Sequence, residues 1–493
     1  MLVIIVFSVV PIIYNCFAAV LEHENFYDIR YSPYFIDKTL FIKSFLNTSQ
    51  PCLIAAPDGF GKSTNLNMLK NFLSADINNT HGENIFRDTE ISKDMNFTKD
   101  ELGNYAVIYC SFKQHMPVLD YNSLMNLFRS ILYRTFAMHP YLPTSKKIST
   151  SDKKKLSWFV GVKKHLRLKP SRVFAGLHFL AKLLKSYHGK EVILMIDDFD
   201  SIIMDSIFTN NLDYEMVFGF HNAFFSSVLH DNKNINKTIL VGTSCKCFQP
   251  LKQLQHLKCF EFLKDENFAP FFGITEKEID QLLAKRDFKT VYNRKEDIRQ
   301  WYGGYKSPDL KTQVFNTRST LSFLRTGQLK NYWANTRVLK TLKLLLIEPA
   351  VEILLNDSIR YKPIEIHFVD KIDQTHIEGL RGFTDCELWD EEFSDVFMNL
   401  LMDKGYFTFA KKWKGNEDKF NVTIPNEEIR SVVEKVITSF LEDPKELLDR
   451  LKATVHEMCF DETKEEVGSV LSEPILQEVQ QVGKTIGEAK ELV

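Results

Sequence analysis

Residues 52–64 read Cys-Leu-Ile-Ala-Ala-Pro-Asp-Gly-Phe-Gly-Lys-Ser-Thr, an apolar run that leads into a glycine-containing turn and then into helix-forming residues. This order is typical of a strand, a phosphate-binding loop and a helix. The backbone N–H groups of such a loop and the Lys62 ammonium bind phosphate oxygens, and the Ser63 hydroxyl binds Mg²⁺ at the positive end of the helix. The full pattern has glycine where Ala56 stands, so an ordinary turn is the alternative. The predicted nucleotide-binding residues are Gly59, Gly61, Lys62, Ser63 and Thr64.

A second apolar run, residues 192–196, ends in Asp197 and Asp198, which is the pattern of a buried parallel strand followed by carboxylates. In enzymes with a phosphate-binding loop, the first acid holds Mg²⁺ and the second polarises the attacking water. We therefore predict Ser63 and Asp197 as metal-binding residues and Asp198 as a catalytic residue. The alternative is a core strand that runs into an acidic turn.

A third apolar run, residues 238–242, is followed by Thr243 and Ser244. A polar side chain at the end of such a strand can hydrogen-bond the terminal phosphate or the attacking water, so Thr243 is a second predicted catalytic residue. A Gly-Thr-Ser turn that leaves a buried strand explains the same residues, and this alternative stays open.

The alternation of strands and helices predicts the fold class. Helical spacing of apolar residues, as in residues 66–73, separates candidate strands, and this favours an α/β fold whose mostly parallel sheet is flanked by helices. Ligands bind such sheets at the carboxyl ends of the strands, where Lys62, Asp197 and Thr243 would meet. The candidate strands begin near residues 52, 106, 192 and 238.

A mainly helical C-terminal region follows, because helical character dominates after residue 275, with residues 405–409 as one candidate strand. We therefore predict a signal peptide, a phosphate-loop domain, a helical and mixed C-terminal domain and a charged helical tail. Their predicted bounds are 1–19, 25–275, 276–440 and 441–493.

Composition excludes some classes of protein. The chain has 62 Lys and Arg against 64 Asp and Glu, which argues against a dedicated nucleic-acid binder. Its 40 phenylalanines indicate well-packed globular domains rather than disorder. Residues 152–172 form a basic segment that also contains Trp158 and Phe159. This segment fits either an anionic lipid or nucleic-acid surface, or an ordinary solvated face.

The first 19 residues are almost entirely apolar and end in Ala18 and Ala19, which predicts a cleaved secretory signal and no membrane span in the mature chain. No Lys or Arg precedes the apolar run, so an uncleaved N-terminal anchor is the alternative. Six Asn-X-Ser/Thr acceptor sites permit glycosylation in the secretory pathway. The cysteines that remain after removal of Cys16 are odd in number and show no framework spacing, so no disulfide pairing is predicted.

Several separated stretches together resemble, in order, the signatures of the AAA-ATPase-like family of P-loop proteins. The resemblance extends over residues 25–440. It rests on residues 34–42, 60–63, 196–200, 272–275, 301–305, 315–319, 332–336 and 424–429.

This resemblance implies a P-loop NTPase domain followed by a helical region. Bacterial members often add a nuclease-like domain, and no matching motif is found in the last 50 residues. Lys62 and Ser63 match the family's phosphate and Mg²⁺ positions, and Asp197 matches the acid beside the metal. The family generally shows Arg-Pro-Arg-Arg where residues 56–59 read Ala-Pro-Asp-Gly, so Asp58 is expected to repel a polyphosphate.

Three hypotheses of function follow, of which the third, nucleic-acid processing, rests only on the basic segment and the family resemblance, and the missing nuclease motif argues against it. The first is a protein of the secretory pathway that binds ATP and Mg²⁺ and acts as an ATPase or a nucleotide switch. The second is a secreted interaction protein, with a protein partner, whose phosphate loop has lost catalytic strength.

Overall fold

The computed structural model describes most of the chain up to residue 441. Contacts between residues divide the chain into one compact unit of residues 1–439 and a second of residues 440–493. The predicted leader and the predicted tail lie outside the described residues, and the predicted domain bounds stay predictions. The described residues are 26–49, 51–76, 84–113, 118, 120–207, 213–229, 232–246, 257–333, 349–381, 391–415 and 417–441.

A five-stranded parallel sheet forms the centre of the fold, with the strand order β2-β3-β4-β1-β5. The α/β class and the four strands predicted from the sequence are confirmed, and β5 is an addition at one edge. Every residue of β1 and β3 is buried, because helices cover both faces of a parallel sheet. The strands are β1 (Cys52–Ala55), β2 (Ala106–Ser111), β3 (Val192–Asp197), β4 (Ile235–Gly242) and β5 (Lys258–Phe260).

Helices connect and cover these strands, and they continue into the C-terminal region. Within the described residues they are α1 (Phe26–Arg30), α2 (Phe41–Leu46), α3 (Lys62–Leu73), α4 (Met95–Glu101), α5 (Tyr121–Ala137), α6 (Thr150–Val160), α7 (Pro170–Phe174), α8 (Gly176–His188), α9 (Ser201–Ile207), α10 (Tyr214–Leu229), α11 (Glu276–Leu283), α12 (Lys295–Tyr302), α13 (Thr317–Thr326), α14 (Pro349–Ile359), α15 (Gln374–Arg381), α16 (Glu391–Asp403) and α17 (Glu427–Leu441). None of these helices is both long and apolar enough to cross a bilayer.

Helix α3 begins at the predicted phosphate loop and packs on the sheet. Its fully buried side chains Leu66, Leu69 and Phe72 recur at a spacing of three residues, so they share one face. They join Ile54 of β1 and Met195 of β3 in one hydrophobic core. The loop is therefore held between a buried strand and a buried helix.

The C-terminal region adds two small antiparallel sheets to its helices, with the strand orders β6-β8-β7 and β10-β11-β9. The predicted strand at residues 405–409 is observed, although only its last two residues pair. These strands are β6 (Ile274–Thr275), β7 (Tyr305–Lys306), β8 (Gln313–Phe315), β9 (Ile364–His367), β10 (Thr408–Phe409) and β11 (Lys419–Thr423).

The aromatic and glycine-containing segment at residues 301–305 has a packing role. Tyr302 and Tyr305 are buried. Gly304 has a φ of +87°, and a side chain there would collide with the carbonyl oxygen of Pro425. Glycine is therefore required at this position for both its backbone conformation and its close contact.

Glu428 is a completely buried carboxylate that ties α17 to two other segments. Its Oε1 accepts hydrogen bonds from Ser319 Oγ at 2.9 Å and from the backbone N–H groups of Tyr332 at 2.7 Å and Trp333 at 3.2 Å. Its Oε2 is buried and has no hydrogen-bond partner among the described residues. Burial raises the pKa of Glu428 to about 7, because removal from water disfavours the charged form.

We expect Glu428 to lower the free energy of unfolding as the pH rises from about 4.5 to about 7, because the folded protein binds the proton of Glu428 more tightly than the unfolded chain does. The loss over this range is about 3 kcal/mol. Glu428→Gln keeps an oxygen for the three donors and removes the charge, so this variant should lose that part of the decline. Urea unfolding at a series of pH values measures the difference.

The matched control is Glu434→Gln on the same helix, whose carboxylate is 50% exposed. It should leave the decline as in the parent protein, because it does not change the buried carboxylate of Glu428. Parallel stability curves for the parent and Glu428→Gln would contradict the assignment.

Candidate functional site

The predicted phosphate loop spans the gap between the end of β1 and the start of α3. Gly59 and Gly61 have φ angles of +84° and +86°, a region that favours glycine. A Cβ atom on Gly59 would lie 3.0 Å from Asn316 Oδ1, so this glycine is also required by space. A Cβ atom on Gly61 would meet nothing within 4 Å, so that side of the loop is open to a ligand.

Lys62 is buried, and its ammonium group is held inside the loop. Its Nζ donates hydrogen bonds to Ala56 O at 2.6 Å and to Asp58 Oδ1 at 3.1 Å. Burial opposes the charged form of Lys62, but the carboxylates of Asp58, Asp198 and Asp200 together outweigh it and raise the pKa of Lys62. The ammonium beside Asp58 lowers the pKa of that carboxyl group. Lys62 is therefore a permanent cation that already has an anionic partner.

Asp197 connects the phosphate loop to the middle of the sheet. Its Oδ1 accepts hydrogen bonds from Ser63 Oγ and from the backbone N–H of Asp198, both at 3.1 Å. Its Oδ2 accepts one from Tyr109 OH, on β2, at 2.9 Å. The carboxylate is completely buried. The two residues that were predicted to bind metal, 134 positions apart, are therefore in direct contact.

Asp198 follows Asp197 in a conformation that is uncommon outside glycine, with a φ of +51°. The residue is only partly buried, unlike Asp197 and Phe199 on either side. Burial raises the pKa of Asp198 well above its usual range, and the adjacent Asp197 carboxylate adds to the effect. A carboxyl group with a raised pKa at a strand end is suited to proton transfer or to binding water.

Thr243 lies at the end of β4, where a neighbouring carboxylate fixes its backbone. Asp200 Oδ2 accepts hydrogen bonds from the N–H groups of Thr243 at 2.7 Å and Ser244 at 2.9 Å. Gly242 is required here because a Cβ atom would lie 2.7 Å from Asp200 Oδ1. The role of Asp200 was not predicted from the sequence. The sequence shows that Asp200 lies three residues after Asp197, but it does not show which backbone groups Asp200 binds.

Three successive carbonyl oxygens of the phosphate loop accept hydrogen bonds from the C-terminal region. Asp58 O accepts from Trp333 Nε1 at 2.8 Å, Gly59 O from Arg318 N at 2.9 Å, and Phe60 O from Gly273 N at 3.0 Å. In a trans peptide the N–H points away from the carbonyl oxygen, so the N–H groups of the following residues face the opposite side. The backbone N–H groups of the loop therefore face away from the C-terminal region. An anion-binding loop requires N–H groups that are not used in hydrogen bonds within the protein.

A second set of contacts connects the end of β4 to α16. Asp403 accepts hydrogen bonds from Ser244 Oγ and Lys246 Nζ, both at 2.6 Å. In the same segment Cys245 forms a disulfide with Cys259 of β5, with the Cα atoms 6.1 Å apart. This pair, 14 residues apart, was not predicted from the sequence, because the cysteines are odd in number and show no framework spacing.

The arrangement suits a nucleotide and Mg²⁺. Mg²⁺ is usually held by one or two protein oxygens together with phosphates and water, which is what Ser63 Oγ and Asp197 offer. Among the described residues there is no cluster of three or more His, Cys, Asp or Glu that could hold a metal ion by itself. Asp58 fits less well, since its charge opposes that of a phosphate. Thr64 lies in the first turn of α3 and is partly buried.

Comparison with known proteins supports the family resemblance over part of the chain. Residues 22–247 match the predicted AAA-ATPase family, which is just under half of the chain and stops short of residue 440. An uncharacterized protein in the vnfD 5′ region of Azotobacter chroococcum mcd 1 is 22% identical over 278 residues. That similarity covers 54% of this chain and 47% of the relative. Over residues 22–247, the chain is similar to the family of predicted AAA-ATPases.

Proposed function

We propose that the chain binds ATP together with Mg²⁺ at the carboxyl ends of β1 and β3, and that it acts as an ATPase or a nucleotide switch. The observation that carries this proposal is the 3.1 Å hydrogen bond between Ser63 Oγ and Asp197 Oδ1. It brings together the hydroxyl and the carboxylate that a phosphate-loop site uses for Mg²⁺. The family match over residues 22–247 agrees with it.

Each side chain has a defined part in this proposal. The loop's N–H groups and Lys62 bind phosphate oxygens, and Ser63 with Asp197 holds the metal ion, which neutralises phosphate charge when bound. Asp198 in its carboxylate form accepts a hydrogen bond from the attacking water and orients it. Thr243 is the second polar group proposed for this purpose, because its backbone is fixed by Asp200 at the end of β4.

We place this function in the secretory pathway. The apolar leader of residues 1–19 is one reason. The Cys245–Cys259 disulfide is a second, since disulfides persist in oxidising compartments. Acceptor sites at exposed Asn47, Asn96 and Asn236 are open to glycosylation in that compartment.

A second candidate function is a secreted interaction protein with a weakened phosphate loop. The Lys62–Asp58 ion pair favours it, because the cation that should bind phosphate is already neutralised. Turnover that disappears in Asp198→Asn would contradict this second function.

Lys62→Ala should weaken binding of labelled ATP by about 10- to 100-fold in the presence of Mg²⁺, because one charged hydrogen-bond donor is lost. Titration of the purified protein measures the change. Lys93→Ala is the control, since this lysine is 70% exposed and pairs with Glu90. Equal weak retention of ATP by the parent and Lys62→Ala would exclude ATP binding at this loop.

Asp58→Asn should tighten ATP binding by about tenfold, because it removes a negative charge next to the phosphates and releases Lys62 from its ion pair. Asn has nearly the size of Asp, and the backbone bond from Trp333 to Asp58 O is kept. The same titration tests this change. An unchanged or weaker affinity would show that Asp58 does not compete with the nucleotide for Lys62.

Turnover should rise with pH as Asp198 loses its proton, since the carboxylate accepts a hydrogen bond from water more strongly than the neutral acid does. The pKa of Asp198 is raised, so this rise should occur well above the usual range of an aspartate. Phosphate release measured across pH in the parent and in Asp198→Asn tests the assignment. If the variant keeps the same rise, another group controls it.

A further inference from the structure

Positive charge is concentrated in one stretch of this nearly neutral chain. Residues 121–190 contain 15 Lys and Arg but a single acidic residue, Asp152, which gives a formal charge of +14. The whole chain has a net charge of −2, so the rest of it is acidic. All of these 70 residues are described in the structure. Neither nucleotide binding nor the fold explains this separation of charge.

The structure gathers this stretch into one group of helices. Helices α5, α6, α7 and α8 and the 3₁₀ helix His165–Arg167 pack against one another, and α5 and α8 cover β2. Strand β2 is an edge of the sheet and is separated from β1 by β3 and β4. The basic group therefore lies at the sheet edge that is distant from the strand leading into the phosphate loop.

The single acidic residue does not neutralise its neighbours. Asp152 Oδ2 is 3.1 Å from Lys182 Nζ, and the same carboxylate accepts a hydrogen bond from Ser149 Oγ at 3.0 Å. Its partners lie on α8 and at the start of α6. The cations of residues 161–172, which lie between these two helices, therefore form no ion pair with Asp152.

One exposed part of the group is the basic turn, defined as residues 161–169. Its apolar side chains Val162 and Leu166 are 71% and 48% exposed and lie four positions apart among the cations of the turn. No ion pair within the described residues involves the cations of this turn. The exposed cations are Lys163, Lys164, Arg167 and Lys169.

Contacts with α5 and within the turn fix the conformation in which the basic turn exposes these side chains. The His165 ring stacks on Tyr133 with the ring centroids 4.3 Å apart, and its Nδ1 lies 3.1 Å from Gly161 O. Leu168 is buried, and its carbonyl oxygen accepts two hydrogen bonds from the Arg129 guanidinium at 2.9 and 2.6 Å. The exposure of Val162 and Leu166 is therefore a property of an anchored turn and not of a loose loop.

We propose that the basic turn docks on the surface of an anionic lipid bilayer. Its cations meet the charged headgroups, and Val162 and Leu166 enter the boundary between headgroups and acyl chains. A nucleic acid or a sulfated glycan would use the cations but would gain nothing from two exposed aliphatic side chains. Stacking on a base is also disfavoured, since the Arg172 guanidinium covers the Trp158 ring at 4.8 Å.

Co-sedimentation of the full-length purified chain with vesicles tests this proposal. We compare phosphatidylcholine alone with phosphatidylcholine that contains about 30% phosphatidylserine, at low and high salt. The parent should bind the anionic vesicles more strongly. Lys163→Ala/Lys164→Ala should reduce the partition by on the order of 20- to 30-fold, since each cation near an anionic surface contributes about a factor of five. Every variant shares the same apolar N-terminus, so its contribution cancels.

Val162→Ser/Leu166→Ser should also reduce the partition, and this loss should persist at high salt. The matched control is Lys277→Ala/Lys311→Ala, which removes two exposed cations elsewhere. Equal binding to both kinds of vesicle, or an equal loss in the control, would overturn the proposal. Retention on heparin or on single-stranded DNA without vesicle binding would overturn the choice of lipid. All variants change exposed side chains, and equal thermal unfolding checks that they fold.

Discussion

The carboxylate of Asp197 is the contact on which the site depends. It is completely buried at the end of β3 and receives hydrogen bonds from Ser63 after β1 and from Tyr109 on β2. A buried carboxylate is stable only when such donors satisfy it. Because the strands are parallel, Ser63 and Tyr109 reach Asp197 at the same edge of the sheet. The hydrogen bonds of Asp197 therefore depend on the strand order.

The sequence predicted the sheet because parallel strands are buried on both faces and therefore appear as continuous apolar runs, as in residues 192–196. Strand β5 has only three residues, two of them exposed, and leaves no such pattern. The contacts of Trp333 and Arg318 with the loop could not be predicted, because they join a side chain or an N–H group to backbone carbonyls more than 250 positions away. Spacing along the chain does not encode contacts of this kind.

The phosphate loop combines a suitable backbone with an unusual charge. Gly59 and Gly61 provide the conformation, and Lys62 provides the cation. Asp58, which is 63% exposed, forms an ion pair with this cation. The loop therefore contains its own anionic competitor for Lys62. Both candidate functions start from this pair, and they differ in whether a nucleotide displaces Asp58.

The three loop carbonyls that face the C-terminal region have a consequence for how the chain can be divided. Their donors come from residues 273, 318 and 333, whereas the family match ends at residue 247. A fragment cut at the family boundary would keep Lys62, Ser63 and Asp197 but lose the groups that orient the loop's peptide planes. In this protein the residues that orient the loop extend beyond the domain that sequence comparison delimits.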